Sequence, residues 1–466
     1  MRELKRVAFI GPAGVGKTHN LVAAVAEEVR AHPLAPFQSV LGLTFMHGAR
    51  RRLDARLSAA LGRETKVGCF TIDSFALSVV RRFRRHLGLC GTVNVDKTHD
   101  VWQHQDGAHR ASFNTIRDGA VRLLELAEVR AAVVAAHPIL VVDEFQDCAD
   151  ELLAVITKLV GFTSTFAAAD EFQALATVND PPSVTWLRKE FDVRPLTENR
   201  RTSDGALLRT AWALRGGTKD VTGIDVVICG QAQRAAYRIA TLHLWKDKRT
   251  GVCWTRNGTV VLSPSTPTGS PFVREVLERL HGVVNEKYNL GRCPVRWTGS
   301  QNEQFEGLRQ RLPTATIPIE QLRPVPNDPL LSEVFRQASG RYRLTGATEV
   351  SAGHLHEVAE QVLAGLHAHS GRSEDTGRRA MTIHSAKNRE FENVVVLWPY
   401  QCPPHEILRR KLLYNAVTRA KRHALILVEG SESRAKKDPA LSLIWENAPA
   451  APKKARRIPA KSGRAK

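Results

Sequence analysis

Residues 11–18 are Gly11, Pro12, Ala13, Gly14, Val15, Gly16, Lys17 and Thr18. The three glycines free the backbone for conformations that turn successive N–H groups inward around an anion. Lys17 adds a point charge for the β- and γ-phosphates, and the Thr18 hydroxyl is a hard oxygen ligand suited to Mg²⁺. The loop follows an apolar run, Val7-Ala8-Phe9-Ile10, and precedes a helical stretch from Thr18 to about His32. That helix aims its positive N-terminal end at the same anion. The implied ligand is a nucleoside triphosphate with its metal ion.

A second constellation lies further along. Ile139-Leu140-Val141-Val142 runs into Asp143-Glu144-Phe145-Gln146-Asp147. A buried strand that ends in two adjacent carboxylates delivers them where open α/β sheets bind ligands. Asp143 is assigned to the metal and Glu144 to the general base that polarises an attacking water. An acidic turn after a strand is common by itself; with the phosphate loop it completes a site for phosphoanhydride hydrolysis.

The elements that must position these residues read as a parallel α/β pattern, apolar runs alternating with amphipathic segments. Strands are expected at Arg6–Ile10, Ser39–Thr44, Lys66–Thr71, Ile139–Val142 and Thr165–Ala169. A second such pattern starts at Asp225 and continues through Thr259–Ser263 and a helix at Pro271–Leu280. It resumes at Arg379–Ile383, Asn393–Leu397 and Ala424–Val428. Between Arg81 and His137 the chain reads as helical and polar, with Arg81, Arg82, Arg84 and Arg85 at its start. The fold class is therefore α/β, with two phosphate-loop-type cores, of which only the first carries the loop.

At 466 residues, two or more domains are expected. Lys and Arg total 67 against 47 Asp and Glu, a net charge of +20, which makes a nucleic acid the natural partner. The seven cysteines form no C-x-x-C pair, and the 17 histidines form no metal-like cluster, so neither a disulfide framework nor a zinc module is expected. No apolar run approaches the ~18 residues of a membrane span. The protein is expected to be cytoplasmic. Residues 448–466 are rich in Lys and Arg without apolar periodicity and are expected to form a disordered basic tail.

The two constellations, in order with six others, resemble the UvrD/Rep-like branch of superfamily 1 helicases. LGLTFMHGARRRL (Leu41 to Leu53) is similar to motif Ia, CFTIDSFA (Cys69 to Ala76) to Ib and ADEFQ (Ala169 to Gln173) to III. LTENRRTS (Leu196 to Ser203) resembles IV, MTIHSAKNREFENVVVL (Met381 to Leu397) resembles V, and LLYNAVTRA (Leu412 to Ala420) resembles VI. The resemblance implies two RecA-like core domains with small, mainly helical insertions. The first core would comprise residues 1–85 and 138–203, with an insertion at 86–137. The second would comprise 204–301 and 373–447, with a reduced insertion at 302–372.

Roles follow by matching positions. Gln173 resembles the side chain that hydrogen-bonds the γ-phosphate or the attacking water. Arg201 and Arg419 match two arginine fingers that neutralise charge on the transferred phosphoryl. Glu390 matches the residue that holds the ribose, and Arg200 stands where the family has a base-stacking aromatic. For DNA, the matching residues are Thr44, Phe45, Ser74, Phe75, Thr382 and His384; for Phe45 and Phe75, core packing is the alternative. The family implies ATP and Mg²⁺, with single-stranded or tailed duplex DNA as partner.

The chain also departs from the family. No Gln precedes the phosphate loop to read adenine, and Asn388 replaces a Gly in motif V. Ala174, Leu175 and Ala176 stand where aromatics usually stack on DNA bases, and Trp186 lies at the wrong offset. The short insertions resemble helicase-like subunits that work beside a nuclease, such as the helicase partner of Gabija-type anti-phage systems. The expected function is a 3′–5′ DNA helicase. The alternative is a DNA-stimulated ATPase that senses or loads DNA for a nuclease partner.

Overall fold

A computed structural model describes residues 3–445, except 46, 97–99, 106, 149, 198–204, 221–223, 243–257, 283–292, 299–307, 309–310, 314, 326–327, 344–347, 354, 357, 360–361, 363–377, 388 and 402–404. The chain divides into two compact units, Met1–Ser203 with Phe305–Ser373, and Asp204–Gln304 with Glu374–Lys466.

In chain order, the strands of the first unit are β1 (Arg6–Ile10), β2 (Ser39–Thr44), β3 (Lys66–Thr71), β4 (Thr92–Val95), β5 (Gln103–Gln105), β6 (Ala108–Ala111), β7 (Ile139–Val142), β8 (Ser164–Ala169) and β9 (Asp192–Pro195). Its main sheet has the order β3-β2-β7-β8-β1-β9, and every pairing in it is parallel. Side-chain alternation splits the apolar residues between two cores. Val7, Phe9, Ile139, Val141 and Phe166 pack on one face with Leu21 and Val25 of helix α1 (Lys17–Ala31) and Leu53 and Leu57 of helix α2 (His47–Leu61). Ala8, Ile10, Leu140 and Val142 pack on the other with helix α3 (Ile72–Phe83), helix α4 (Phe113–Glu125) and helix α5 (Ala127–Ala136). A strand buried on both faces reads as a continuous aliphatic run, which is why Ile139–Val142 stood out in the sequence.

The stretch 86–137, expected to be helical, is so only from Phe113 on. It opens with a three-stranded sheet of order β4-β6-β5. Three- and four-residue strands are too short to establish a period, although Asp106-Gly107 is a hairpin signal. Gly107 has φ of 73° between the antiparallel β5 and β6. Arg117 of α4 donates to Asp73 of α3 over 2.7 Å, fastening this segment to the main body. The remainder of the unit, within 305–373, contains the helix Pro329–Arg343 and a small apolar cluster around Val334, Ala338 and Leu355.

The second unit contains β10 (Asp225–Gly230), β11 (Thr259–Ser263) and β12 (Val295–Trp297). After the short antiparallel pair β13 (Ile317–Pro318) and β14 (Glu349–Val350) of the first unit come β15 (Arg378–Thr382), β16 (Phe391–Trp398) and β17 (Ala420–Glu429). The sheet order is β10-β17-β16-β11-β15-β12, again with parallel pairings. Two α/β cores of this kind meet the expected fold class. The edge strands β9 and β12 had not been read: Asp192-Val-Arg-Pro and Val295-Arg-Trp are too polar and short to carry an apolar run.

Candidate functional site

The phosphate loop leaves β1 and enters α1. Gly14 and Gly16 take φ of 89° and 80°, in the region that Cβ-bearing residues rarely adopt, and Gly16 caps the helix in that conformation. Gly11 serves otherwise, by close approach: a Cβ there would lie 2.4 Å from the Leu196 carbonyl oxygen. Lys17 Nζ donates to the carbonyls of Gly11 (2.9 Å) and Pro12 (2.8 Å) and sits 3.5 Å from Asp170 Oδ2.

Asp143 and Glu144 follow β7, two strands from β1 in the sheet. Thr18 Oγ1 donates to Asp143 Oδ2 at 3.2 Å, and the Glu144 N–H donates to Asp143 Oδ1 at 3.0 Å. Desolvation, and then the neighbouring Glu144 charge, push the Asp143 carboxyl up to about 6, against the Glu144 N–H, Lys17 and Thr18, which favour its anion. A carboxylate and a hydroxyl 3.2 Å apart are a fit pair of hard oxygen donors for a divalent cation. Among the described residues no group of three His, Cys, Asp or Glu is placed to cage a metal.

Glu144 is the non-glycine residue with positive φ among those described, at 59°. Such a conformation costs about 1–2 kcal/mol, and residues so held cluster at functional sites. Its Oε2 accepts from Gln146 Nε2 at 2.7 Å, and Gln146 Oε1 accepts from the Asp170 N–H at 2.9 Å. Asp170, fully buried after β8, accepts from Gln173 Nε2 at 2.9 Å. Lys17, Thr18, Asp143, Glu144 and Gln173 are thus brought together at the carboxyl ends of β1, β7 and β8. Two members of the network, Gln146 and Asp170, had been given no role. The signal was present: Asp143–Gln146 and Asp170–Gln173 are the same tetrapeptide, Asp-Glu-Phe-Gln.

The residues expected to meet DNA separate into reachable and buried ones. Phe45 follows β2 and is 46% exposed. Phe75 is a correction: on the inward face of α3, it is 3% exposed and packs in the core, so its ring offers no stacking face. Thr44 is likewise buried. Ser74 Oγ lies 2.7 Å from Thr71 Oγ1, which caps α3 by accepting the Ser74 N–H at 3.1 Å. The second unit repeats this turn, with Thr382 Oγ1 at 2.8 Å from Ser385 Oγ and 3.1 Å from the Ser385 N–H. Thr71 and Ser385 had not been singled out, although Thr71-Ile-Asp-Ser and Thr382-Ile-His-Ser share a pattern. His384 has an exposed edge, while crowding on its inner side, and then Lys387, lower its basicity. Trp186 stacks on Phe145, with ring centroids 5.9 Å apart and planes 7° from parallel, and serves packing.

In the second unit, Glu390 and Arg419 immediately precede β16 and β17, and the Phe391 N–H donates to the Arg419 carbonyl at 2.9 Å. They share the amino end of the sheet, whereas Thr382 and His384 lie at the carboxyl end of β15. Glu390 is exposed; Arg419 is buried, its Nε donating to Asn415 O at 3.2 Å. Arg200, Arg201 and Asn388 lie outside the described residues. No helix among the described residues is long and apolar enough to cross a membrane.

Comparison with known families gives two matches. Residues 4–118 match the UvrD/REP helicase N-terminal domain, and residues 378–428 match the UvrD-like helicase C-terminal domain. The first match contains the phosphate loop and the Thr71–Ser74 turn, the second Thr382, Glu390 and Arg419. No curated protein sequence matches the chain.

Proposed function

We propose that this chain, whose two matched segments are those of UvrD-like helicases, is a UvrD/Rep-like superfamily 1 helicase that hydrolyses ATP at the strand-end site of its first unit and uses turnover to move 3′ to 5′ along single-stranded DNA. The observation that carries this reading is the connected set Lys17, Thr18, Asp143, Glu144 and Gln173. Lys17 exchanges its two carbonyl partners for the β- and γ-phosphates. Glu144 accepts the proton of a water whose oxygen bonds to the γ-phosphorus; the bond to the bridging oxygen breaks, and ADP leaves with that electron pair. Thr18 and Asp143 would hold Mg²⁺, which would neutralise charge on the phosphates. Gln173 orients the γ-phosphate or the water, and Arg201 and Arg419 neutralise charge on the transferred group. Glu390 holds the ribose, and Arg200 stacks on the base.

For DNA, the reading is supported by the placement of the reachable residues. Ser74 and Ser385, each partly exposed and hydrogen-bonded to a buried threonine, Thr71 and Thr382, offer hydroxyls suited to phosphates, His384 adds an imidazole, and Phe45 offers a stacking face. The two sets of residues are neighbours in the sheet: the Asp143 N–H donates to Leu43 O at 3.2 Å, two residues before Phe45.

A second reading is favoured by one observation, the absence of a base-stacking platform after Gln173, where Ala174 is buried and Trp186 faces Phe145. On that reading the chain is a DNA-stimulated ATPase that senses or loads DNA for a nuclease partner. Strand displacement on 3′-tailed, 5′-tailed and blunt duplexes, with phosphate release measured in parallel, separates the two. Displacement restricted to the 3′-tailed substrate supports the helicase; DNA-stimulated phosphate release with no displacement supports the second reading. Phosphate release that no DNA stimulates overturns both.

A further inference from the structure

We propose that Gln146 is a positioning residue that sets the water-activating oxygen of Glu144 and ties it to the end of β8 that carries Gln173. The inference rests on the reading of Glu144 as general base. Gln146 is 4% exposed, and its one amide group faces two partners with opposite needs. Its Nε2 donates to Glu144 Oε2 at 2.7 Å, and its Oε1 accepts the Asp170 N–H at 2.9 Å. A side chain whose amide carbon, three bonds from Cα, carries both a donor nitrogen and an acceptor oxygen is what this span requires.

Three features show that the arrangement bears on chemistry as well as packing. First, one carboxylate oxygen of Glu144 is engaged by Gln146, which lowers its basicity and turns the other, Oε1, toward the role of proton acceptor. Second, Glu144 sits in a left-handed backbone conformation, φ 59°, and a tether on its side chain fixes which way that strained residue points. Third, the tether ends on Asp170, whose carboxylate holds Gln173 Nε2 at 2.9 Å and faces Lys17 at 3.5 Å. A shift of Lys17 or Gln173 toward bound phosphate therefore acts on the residue whose N–H Gln146 holds, and through Gln146 on Glu144. The flanking ring of Phe145, buried against Trp186, anchors the turn from which both Glu144 and Gln146 project.

The simplest opposing account is that Gln146 merely satisfies a buried N–H. A double-mutant cycle separates the two. Gln146→Met, Glu144→Gln and the double variant of the full chain are compared by single-turnover hydrolysis and by binding of a non-hydrolysable ATP analogue. Gln146→Asn, which keeps the amide but is one methylene short of spanning both partners, is the second variant should Met disturb folding. The expected result is a fall in hydrolysis rate of about ten- to a hundredfold, since misplacement of a reacting group by ~1 Å costs on that order, with analogue affinity within about twofold. In the Glu144→Gln background, the same Gln146 substitution is expected to cost nothing further. A rate within about twofold of wild type for both Gln146 variants overturns the proposal. So does an equal loss in both backgrounds, which a structural bridge would give. Glu144→Gln retaining turnover is a different failure: it removes the base assignment itself, whatever Gln146 does.

Discussion

At the scale of single residues, the candidate site separates groups that bind from groups that act. Among the described residues, Lys17 is held at close range by two main-chain carbonyls and Asp170, partners that a phosphate can replace. The Glu144 carboxylate is held by Gln146, a residue given no part in binding the nucleotide. Lys17→Ala is therefore expected to weaken nucleotide binding, whereas Glu144→Gln keeps binding and loses turnover; equilibrium binding and phosphate release on each variant check the split. Glu144→Gln with near-wild-type turnover would remove it from the chemistry. Arg419 is held by Asn415 O and lies beside Glu390 through the Phe391–Arg419 bond. Its Ala variant is expected to lower kcat by about 10³-fold or more, the scale of an arginine finger, while leaving KM for ATP close to wild type. A change confined to KM would place it in ordinary binding.

At the scale of elements, the sheet order does the arranging. β2 and β7 are neighbours, so the loop carrying Phe45 and the turn carrying Asp143 lie side by side at the carboxyl edge. With Phe75 and Trp186 turned inward, Phe45 is the exposed ring left for base stacking among the residues considered. Loss of one stacked base costs ~1–3 kcal/mol. Phe45→Ala is thus expected to leave basal ATPase unchanged but to raise the ATP consumed per base pair displaced several-fold. Unaltered coupling in a combined ATPase and unwinding assay would move the stacking role elsewhere. Much of this level was legible in advance: β1, β2, β3 and β7 fall on the expected residues, and β1, β2 and β7 are buried almost throughout, so that they read as short apolar runs. The three-stranded sheet at 92–111 was not legible, since strands of three and four residues are held by ladder and tertiary contacts that no local period records.

At the scale of the whole molecule, the net charge of +20 governs association. Contacts to 6–10 phosphates lose roughly 10³–10⁵ in affinity between 50 and 200 mM salt, and DNA binding by the full chain is expected to fall with that steepness. Seven of the Lys and Arg residues lie in 451–466. Removing that segment is expected to flatten the salt slope while preserving the ATPase rate at saturating DNA. Titrations at several salt concentrations on both chains measure the slopes; loss of hydrolysis at saturating DNA would show that the segment belongs to the catalytic body.

What the sequence determined by itself was set by local chemistry. Glycines at 14 and 16, a lysine and a threonine make a phosphate loop wherever a strand precedes and a helix follows, and an excess of positive charge demands a polyanion whatever the fold. The tertiary structure decided which side chains meet. Asp143–Gln146 and Asp170–Gln173 carry the same four residue types, yet Gln146 serves Glu144 while Gln173 serves Asp170. That distinction arises only because β7 and β8 lie adjacent and in register, Val142 opposite Ala167, which places the N–H of Asp170 at the reach of Gln146. Likewise Phe45 and Phe75 read alike in the sequence, but the former sits in a loop beyond its strand and the latter on the inward face of a helix, so burial sent one to solvent and the other to the core.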